Sequence, residues 1–210
     1  MKKQITIVDY GLGNILSAQQ SFLKVASEKK LDAEITITKN PNLIKKSSHV
    51  VLPGQGAFKT CMSGLSSIPG MINELNNFAL ICKKPFLGIC VGMQLLASRS
   101  EENGNHNGLN WIKGSIKKIP PNKIKLPHMG WNSIKLKNTE NRTSFFVEND
   151  YYFVHSYYFD VQNDRNVVAE THYGTNFPSI VNQENIYGVQ FHPEKSSKQG
   201  LELIEGFMRL

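Results

Sequence analysis

The sequence predicts an α/β chain, with an open, mostly parallel sheet, helices on both of its faces and an antiparallel ribbon added to it. Three observations lead there. The first half alternates short apolar runs that end in Gly-rich turns with stretches of helical spacing, the pattern of successive β-α-β units. The second half breaks into short strand-like pieces separated by Asn/Gly turns, whose spacing suits antiparallel pairing. A length of 210 residues with 40% hydrophobic and 20% charged side chains fills one sizeable core, so one domain over residues 1–210 is expected.

Taken in order, "QITIVDY" reads as a strand closed by the turn "GLGN". Ile15, Ala18, Phe22 and Val25 then keep helical spacing up to Lys29-Lys30. "AEITITK" is a second strand and "HVVLPG" a third. Residues 57–80 hold one or two helices punctuated by Pro69-Gly70, residues 85–89 form a fourth strand, and Val91 to Ala97 continue as a helix. After the polar loop "EENGNHNGLN", the pieces "GSIKKI", "NSIKL", "YYFVHSYYF" and "NVVAETHY" read as ribbon strands. "IYGVQFHPEKS" returns to an apolar strand, and "SKQGLELIEGFMRL" closes as an amphipathic helix with Leu201, Ile204, Phe207 and Met208 on one side.

Several classes are disfavoured. The apolar runs stop well short of a membrane span, and the N-terminal "MKKQITIVDY" has no h-region or cleavage site, so a soluble cytoplasmic protein is expected. Cys61, Cys82 and Cys90 cannot all pair within the chain and have no metal-ligand spacing, which favours a reducing compartment and no metal or cofactor. Cys61 and Cys82 are expected to be packing residues. The formal charge of +7 comes from scattered lysines, densest at Lys113, Lys117, Lys118, Lys123 and Lys125. That stretch lacks the interleaved aromatics of a nucleic-acid surface and reads as a solvated face.

In an open parallel sheet, ligands sit beyond the carboxyl ends of the strands, which directs attention to "GLGN", "PGQG", "GICVG" and "HPEKS". "GLGNIL" lacks the third glycine of a dinucleotide fingerprint, and no acid ends the second strand. It is a tight turn in which Asp9 and Asn14 cap or hydrogen-bond locally. "GICVG" is the cysteine form of the Gly-x-nucleophile-x-Gly elbow. Gly88 and Gly92 permit the close strand-helix approach, the helix start favours a thiolate at Cys90, and the Val91 N–H is free to face an oxyanion. Of the six histidines only His192 has a carboxylate at useful spacing. If the backbone there is extended, His192 and Glu194 leave on one face, giving a nucleophile, a base and an orienter of the base. In "LPGQGAF", the flexible backbone at Gly54, Gln55 and Gly56 can supply a second oxyanion donor.

Together "PGQGAF", "GICVGMQLL", "LPHMGWN", "YFVHSYY" and "GVQFHPEKS", in this order and over almost the whole chain, closely resemble the glutaminase subunits of imidazole glycerol phosphate synthases, within the class I glutamine amidotransferases. The resemblance implies a class I amidotransferase-like fold and a Cys90-His192-Glu194 triad that hydrolyses glutamine. It implies that Gln94, Glu102 and Tyr152 hold the substrate's α-amino and α-carboxylate ends. It also implies a (β/α)₈-barrel synthase partner that receives the ammonia, with Asn14 and Trp131 at the interface. A helix cap and a core indole are the structural alternatives for those two, and for Asn14 the cap is favoured. Many relatives carry Val where this chain has Gln55, and the family pattern implies a glutaminase nearly silent without its partner. A glutaminase serving a different amidating synthase, a non-catalytic module on the same scaffold and a hydrolase of other acyl groups are the competing readings of the same motifs.

Overall fold

In a computed structural model, residues 2–121, 124–137 and 143–210 are described. The chain begins with β1 (Lys3–Val8), whose Ile5, Ile7 and Val8 are fully buried, followed by α1 (Ile15–Glu28). Next come β2 (Ala33–Thr38), α2 (Pro41–Lys46), β3 (His49–Gly54), α3 (Phe58–Ser66) and α4 (Met71–Asn76), which runs into one π-helical turn at Asn77–Ile81. β4 (Phe86–Cys90) leads directly into α5 (Val91–Gln94). The ribbon region holds β5 (Arg99–Ser100), β6 (His106–Asn107), β7 (Gly114–Lys118), β8 (His128–Ser133), β9 (Lys135–Leu136), β10 (Asp150–His155) and β11 (Tyr157–Val161). β12 (Val167–His172), β13 (Asn176–Gln183), β14 (Ile186–Val189) and α6 (Ser197–Arg209) complete the chain.

The main sheet has the order β2-β1-β3-β4-β14-β13-β12-β9. Its first five strands are mutually parallel, and β13, β12 and β9 extend it antiparallel. β3 and β4 are buried at every residue, as strands covered on both faces require. A second sheet, β11-β7-β5-β6, and the pair β10-β8 form the added ribbon. No described helix is long and apolar enough to cross a membrane.

The departures from the sequence reading have local causes. α2 was not expected, yet Pro41 at its first position and the Asn40 side chain accepting the Asn42 N–H at 3.0 Å are ordinary start signals. β13 was also not expected, and Pro178 lies within it. The strand accommodates proline opposite Glu170, beside a register shift in β12. The helix expected to run from Val91 to Ala97 stops as α5 at Gln94, since the carbonyls of Leu95, Leu96 and Ala97 accept N–H groups from Leu109, Trp111 and Asn110 instead of continuing the helix. "YYFVHSYYF" divides at Ser156 into β10 and β11, which pair in different sheets. On α6 the buried face runs through Leu203, Ile204, Phe207 and Met208, with Leu201 only half-buried.

Cys61 is buried as expected, but Cys82 is exposed at the end of the π-helical turn, beside Lys83 and Lys84. Trp131 is 52% exposed on β8, which removes the core-indole alternative. Within the lysine-rich stretch, Lys113 reaches Asn110 and Lys117 pairs with Asp160 at 2.7 Å. Lys123 lies outside the described residues.

Candidate active site

β4 ends and α5 begins at Cys90, which has φ +54° and ψ −110°. A side chain rarely adopts such a backbone, at a cost of about 1–3 kcal/mol, and such turns are retained where they aim a reactive atom. The surroundings require it to be tight. A Cβ on Gly88 would lie 2.6 Å from the Gly92 carbonyl oxygen, and a Cβ on Gly92 only 1.8 Å from that of Leu52. β3 lies beside the elbow in parallel register, with Gly54 opposite Cys90, so the "PGQG" segment leaves the sheet next to the sulfur. Gly56 has φ +110°, a conformation open to glycine. Beneath the segment, the buried Tyr10 hydroxyl donates to the Pro53 carbonyl at 2.8 Å, and the Cys61 thiol donates to that of Gln55 at 3.5 Å.

From the neighbouring strand β14 the chain continues through Gln190 and Phe191 to His192. The His192 Nδ1 is 2.8 Å from Glu194 Oε1, and both side chains are almost fully buried. The backbone is not extended through this pair. Residues Pro193–Lys195 form a 3₁₀ turn with proline at its first position, and it is the turn that swings Glu194 back to the ring. The other ring nitrogen, Nε2, is buried with no hydrogen bond of full geometry among the described residues, and Cys90 is the group whose charge most favours its protonation. Burial disfavours the imidazolium, but the Cys90 sulfur and the Glu194 carboxylate outweigh it and raise His192 to about 10. α5 spans only four residues, a shorter helix behind the sulfur than the sequence implied.

A cavity of about 200 Å³ opens in front of Cys90. Gln55, Gly56, Val91, Gln94, Glu102 and residues 154–157 line it, and the Cys90 thiol itself lies 3.9 Å from the Val154 carbonyl oxygen. This volume is below the roughly 300–1,000 Å³ of drug-sized ligand sites and suits a small amino acid. Gln94 is buried, its Nε2 donating to the Tyr157 carbonyl and to Gln190 Oε1, each at 3.1 Å. One Glu102 oxygen accepts the Phe58 N–H at 2.7 Å, which anchors the carboxylate at the start of α3 rather than leaving it in solvent.

The remaining sequence candidates lie elsewhere. Tyr152 is not among the cavity-lining residues. Its ring packs edge-on to Trp131 with centroids 6.1 Å apart, and it is its main-chain carbonyl that meets the site, accepting the His192 N–H at 2.9 Å. Asn14 occupies the N-cap position of α1 with no side-chain capping bond, its carbonyl accepting the Ala18 N–H, while Asp9 accepts the Gly11 N–H. Two groups escaped the sequence reading. Gln190 is buried with its Nε2 3.7 Å from Cys90 Sγ, and residues 154–157, with His155, line the cavity. Gln190 stands two positions before His192, so the alternation of side chains along a strand could have identified it.

The chain matches the family described as glutamine amidotransferase class-I over residues 7–209. It is 46% identical over 210 residues to the imidazole glycerol phosphate synthase subunit HisH of Pelagibacter ubique, covering 98% of this chain and 99% of that protein. It is 41% identical to the subunits of the same name from Brucella suis, over 212 residues, and Rhodospirillum rubrum, over 210, with 98% of each chain covered in both cases. Its fold is similar to a solved glutamine amidotransferase at a TM-score of 0.72, with 14% identity and 97% of each chain covered. It is also similar to one from Thermotoga maritima at a TM-score of 0.65, with 17% identity, 95% of this chain and 79% of that one. The chain therefore belongs to the class I glutamine amidotransferases, in the branch of the imidazole glycerol phosphate synthase HisH subunits.

Proposed function

We propose that Cys90, His192 and Glu194 hydrolyse glutamine in the cavity in front of the elbow, and that the ammonia passes to a (β/α)₈-barrel synthase subunit bound to this chain. The Cys90 thiolate forms a C–S bond to the side-chain amide carbon, and the carbonyl electrons move onto oxygen. Main-chain N–H groups of the Gly54–Gly56 segment and of Val91 receive that oxyanion. His192, carrying the proton, gives it to the departing nitrogen as the C–N bond breaks, leaving ammonia and a thioester. Neutral His192 then takes a proton from water, the hydroxide attacks the thioester, and glutamate leaves as the thiolate is restored.

Glu194 holds the ring so that Nε2 faces the sulfur, and Glu102 and Gln94 supply polar groups for the amino-acid end of glutamine. Ammonia released into water would be protonated and lost as a nucleophile, which is the physical reason for a partner sealed over the site. The observation that carries this reading is a strained Cys90 coupled to a buried His192 that a carboxylate orients, beside a cavity sized for an amino acid.

The test is the complex with the cognate barrel subunit, supplied with its nucleotide acceptor. Cys90→Ala is expected to abolish glutamine-dependent turnover while turnover with added ammonium salt and partner binding persist. Retention of glutamine-dependent turnover by this variant would end the proposal.

A further inference from the structure

The cavity wall at residues 154–157, whose Val154 carbonyl lies 3.9 Å from the Cys90 sulfur, is linked to β8 by the backbone pairing of β10 and, in addition, by the side chains of two buried histidines, His128 and His155, that take no part in the chemistry above. His155 Nδ1 lies 2.8 Å from the Tyr157 carbonyl oxygen, and its Nε2 lies 3.0 Å from His128 Nδ1. The Asn132 Nδ2 lies 3.1 Å from His128 Nε2 and 3.0 Å from the His172 carbonyl oxygen. Each end of this chain dictates a proton position. A carbonyl only accepts, so His155 carries its proton on Nδ1 and accepts at Nε2. His128 must then donate from Nδ1 and accept at Nε2, and the Asn132 amide, whose other hydrogen goes to the His172 carbonyl, supplies that hydrogen. Reasoning from Asn132 inward gives the same answer, so one arrangement satisfies every atom. A further proton on either ring would set N–H against N–H.

The surroundings agree with two neutral rings. His128 is stacked between Phe153 and Tyr173, His155 packs on Phe153 and Phe177, and both histidines are buried. Burial lowers His128 to about 4. Burial and the charges of His128 and His192 lower His155 to about 3, against its bond to the Tyr157 carbonyl. The Tyr157 carbonyl also accepts from Gln94, which reaches Gln190 and through it the Cys90 sulfur.

We infer that His128 and His155 are positioning residues for glutamine hydrolysis: a neutral, one-directional imidazole pair that fixes the Val154–Tyr157 wall so that glutamine is held against Cys90. The inference rests on the cavity being the glutamine site. It accounts for two imidazoles where apolar rings would otherwise pack.

The first test is the complex with the barrel subunit. His155→Phe keeps the ring volume and removes both bonds, and is expected to raise KM for glutamine about tenfold with kcat changed far less, the order of effect of losing buried hydrogen bonds in the wall. His155→Asn, which keeps a donor for the Tyr157 carbonyl, is expected to return most of that loss. Equal KM values in all three proteins, or no return in the asparagine variant, would overturn the inference.

The second test needs no variant. In ¹⁵N-histidine-labelled wild-type complex, both rings are expected to remain neutral Nδ1–H tautomers from pH 5.5 to 8, and titration or an Nε2–H tautomer at either ring would overturn it. Failure of the wild-type complex to consume glutamine would instead count against the functional reading itself.

Discussion

Gln190 Nε2 lies 3.7 Å from Cys90 Sγ, while the same amide's oxygen accepts from Gln94 at 3.1 Å, so one fully buried side chain joins the sulfur to the cavity wall. The contact bridges residues 100 positions apart. It exists because β14 lies beside β4 in parallel register, with Val189 opposite Ile89.

Replacing Gln190 by Leu keeps most of the volume and removes both bonds. A loss of about 1–2 kcal/mol in unfolding free energy is expected, because Gln94 keeps only the Tyr157 carbonyl. A fall of about tenfold in glutamine-dependent kcat of the complex should accompany it. Urea denaturation and steady-state assay check the two effects separately, and unchanged kcat would limit Gln190 to packing.

His192 gives a pH signature with a definite sign. Its folded value of about 10 lies above the usual histidine value of 6.5. Its contribution to stability is therefore fully present below about pH 6.5 and is lost as pH rises through about 10. Cys90→Ala removes the strongest influence raising that value while the burial that lowers it stays, so in the variant the loss should set in at lower pH. Denaturation midpoints measured from pH 6 to 10 check this, and superimposable profiles for the two proteins would contradict it.

Gly92→Ala should damage the elbow through the backbone. The added Cβ would sit 1.8 Å from the Leu52 carbonyl oxygen, an atom of β3 that cannot move without disturbing the central sheet. A destabilisation of about 3 kcal/mol or more is expected, with loss of glutaminase activity in whatever folds. Thermal unfolding of the isolated chain measures it, and a change within about 0.5 kcal/mol would mean the strand and helix are less closely packed than described.

Trp131 distinguishes a surface from a core. Truncating a buried indole to alanine costs about 3–5 kcal/mol. Trp131 is 52% exposed, next to Met129 at 62%, so Trp131→Ala should change stability by less than about 1 kcal/mol. If this face meets the barrel subunit, the same variant should weaken the complex at least tenfold by titration calorimetry. Unaltered affinity would remove Trp131 from the interface.

Much of the site was legible because its parts are local. The elbow is written in five consecutive residues, since Gly88 and Gly92 are the side-chain-free positions that let β4 turn into α5. The alternation of apolar runs and helical spacing gave β1 to β4 within a residue or two, because strands buried on both faces leave little sequence freedom. His192 and Glu194 were paired correctly but for a different reason, the contact arising from a 3₁₀ turn rather than an extended strand. Less was legible where neighbours compete for the backbone. The shortened α5 follows from loop amides taking the Leu95 to Ala97 carbonyls, and no local pattern in that segment announces this.

By itself the sequence determined the sharp turn at Cys90, the capacity of His192 and Glu194 to touch, and the parallel sheet that sends its strand ends to one edge. These depend on backbone sterics and on hydrophobic periodicity between near neighbours. Only the tertiary structure decided that His192 comes within the electrostatic influence of Cys90, that Gln190 reaches the sulfur, that Tyr152 turns to Trp131 instead of the cavity, and that His128 and His155 hydrogen-bond to each other beside it. Those contacts join segments far apart in the chain, and they follow from strand order and packing, which are properties of the whole core.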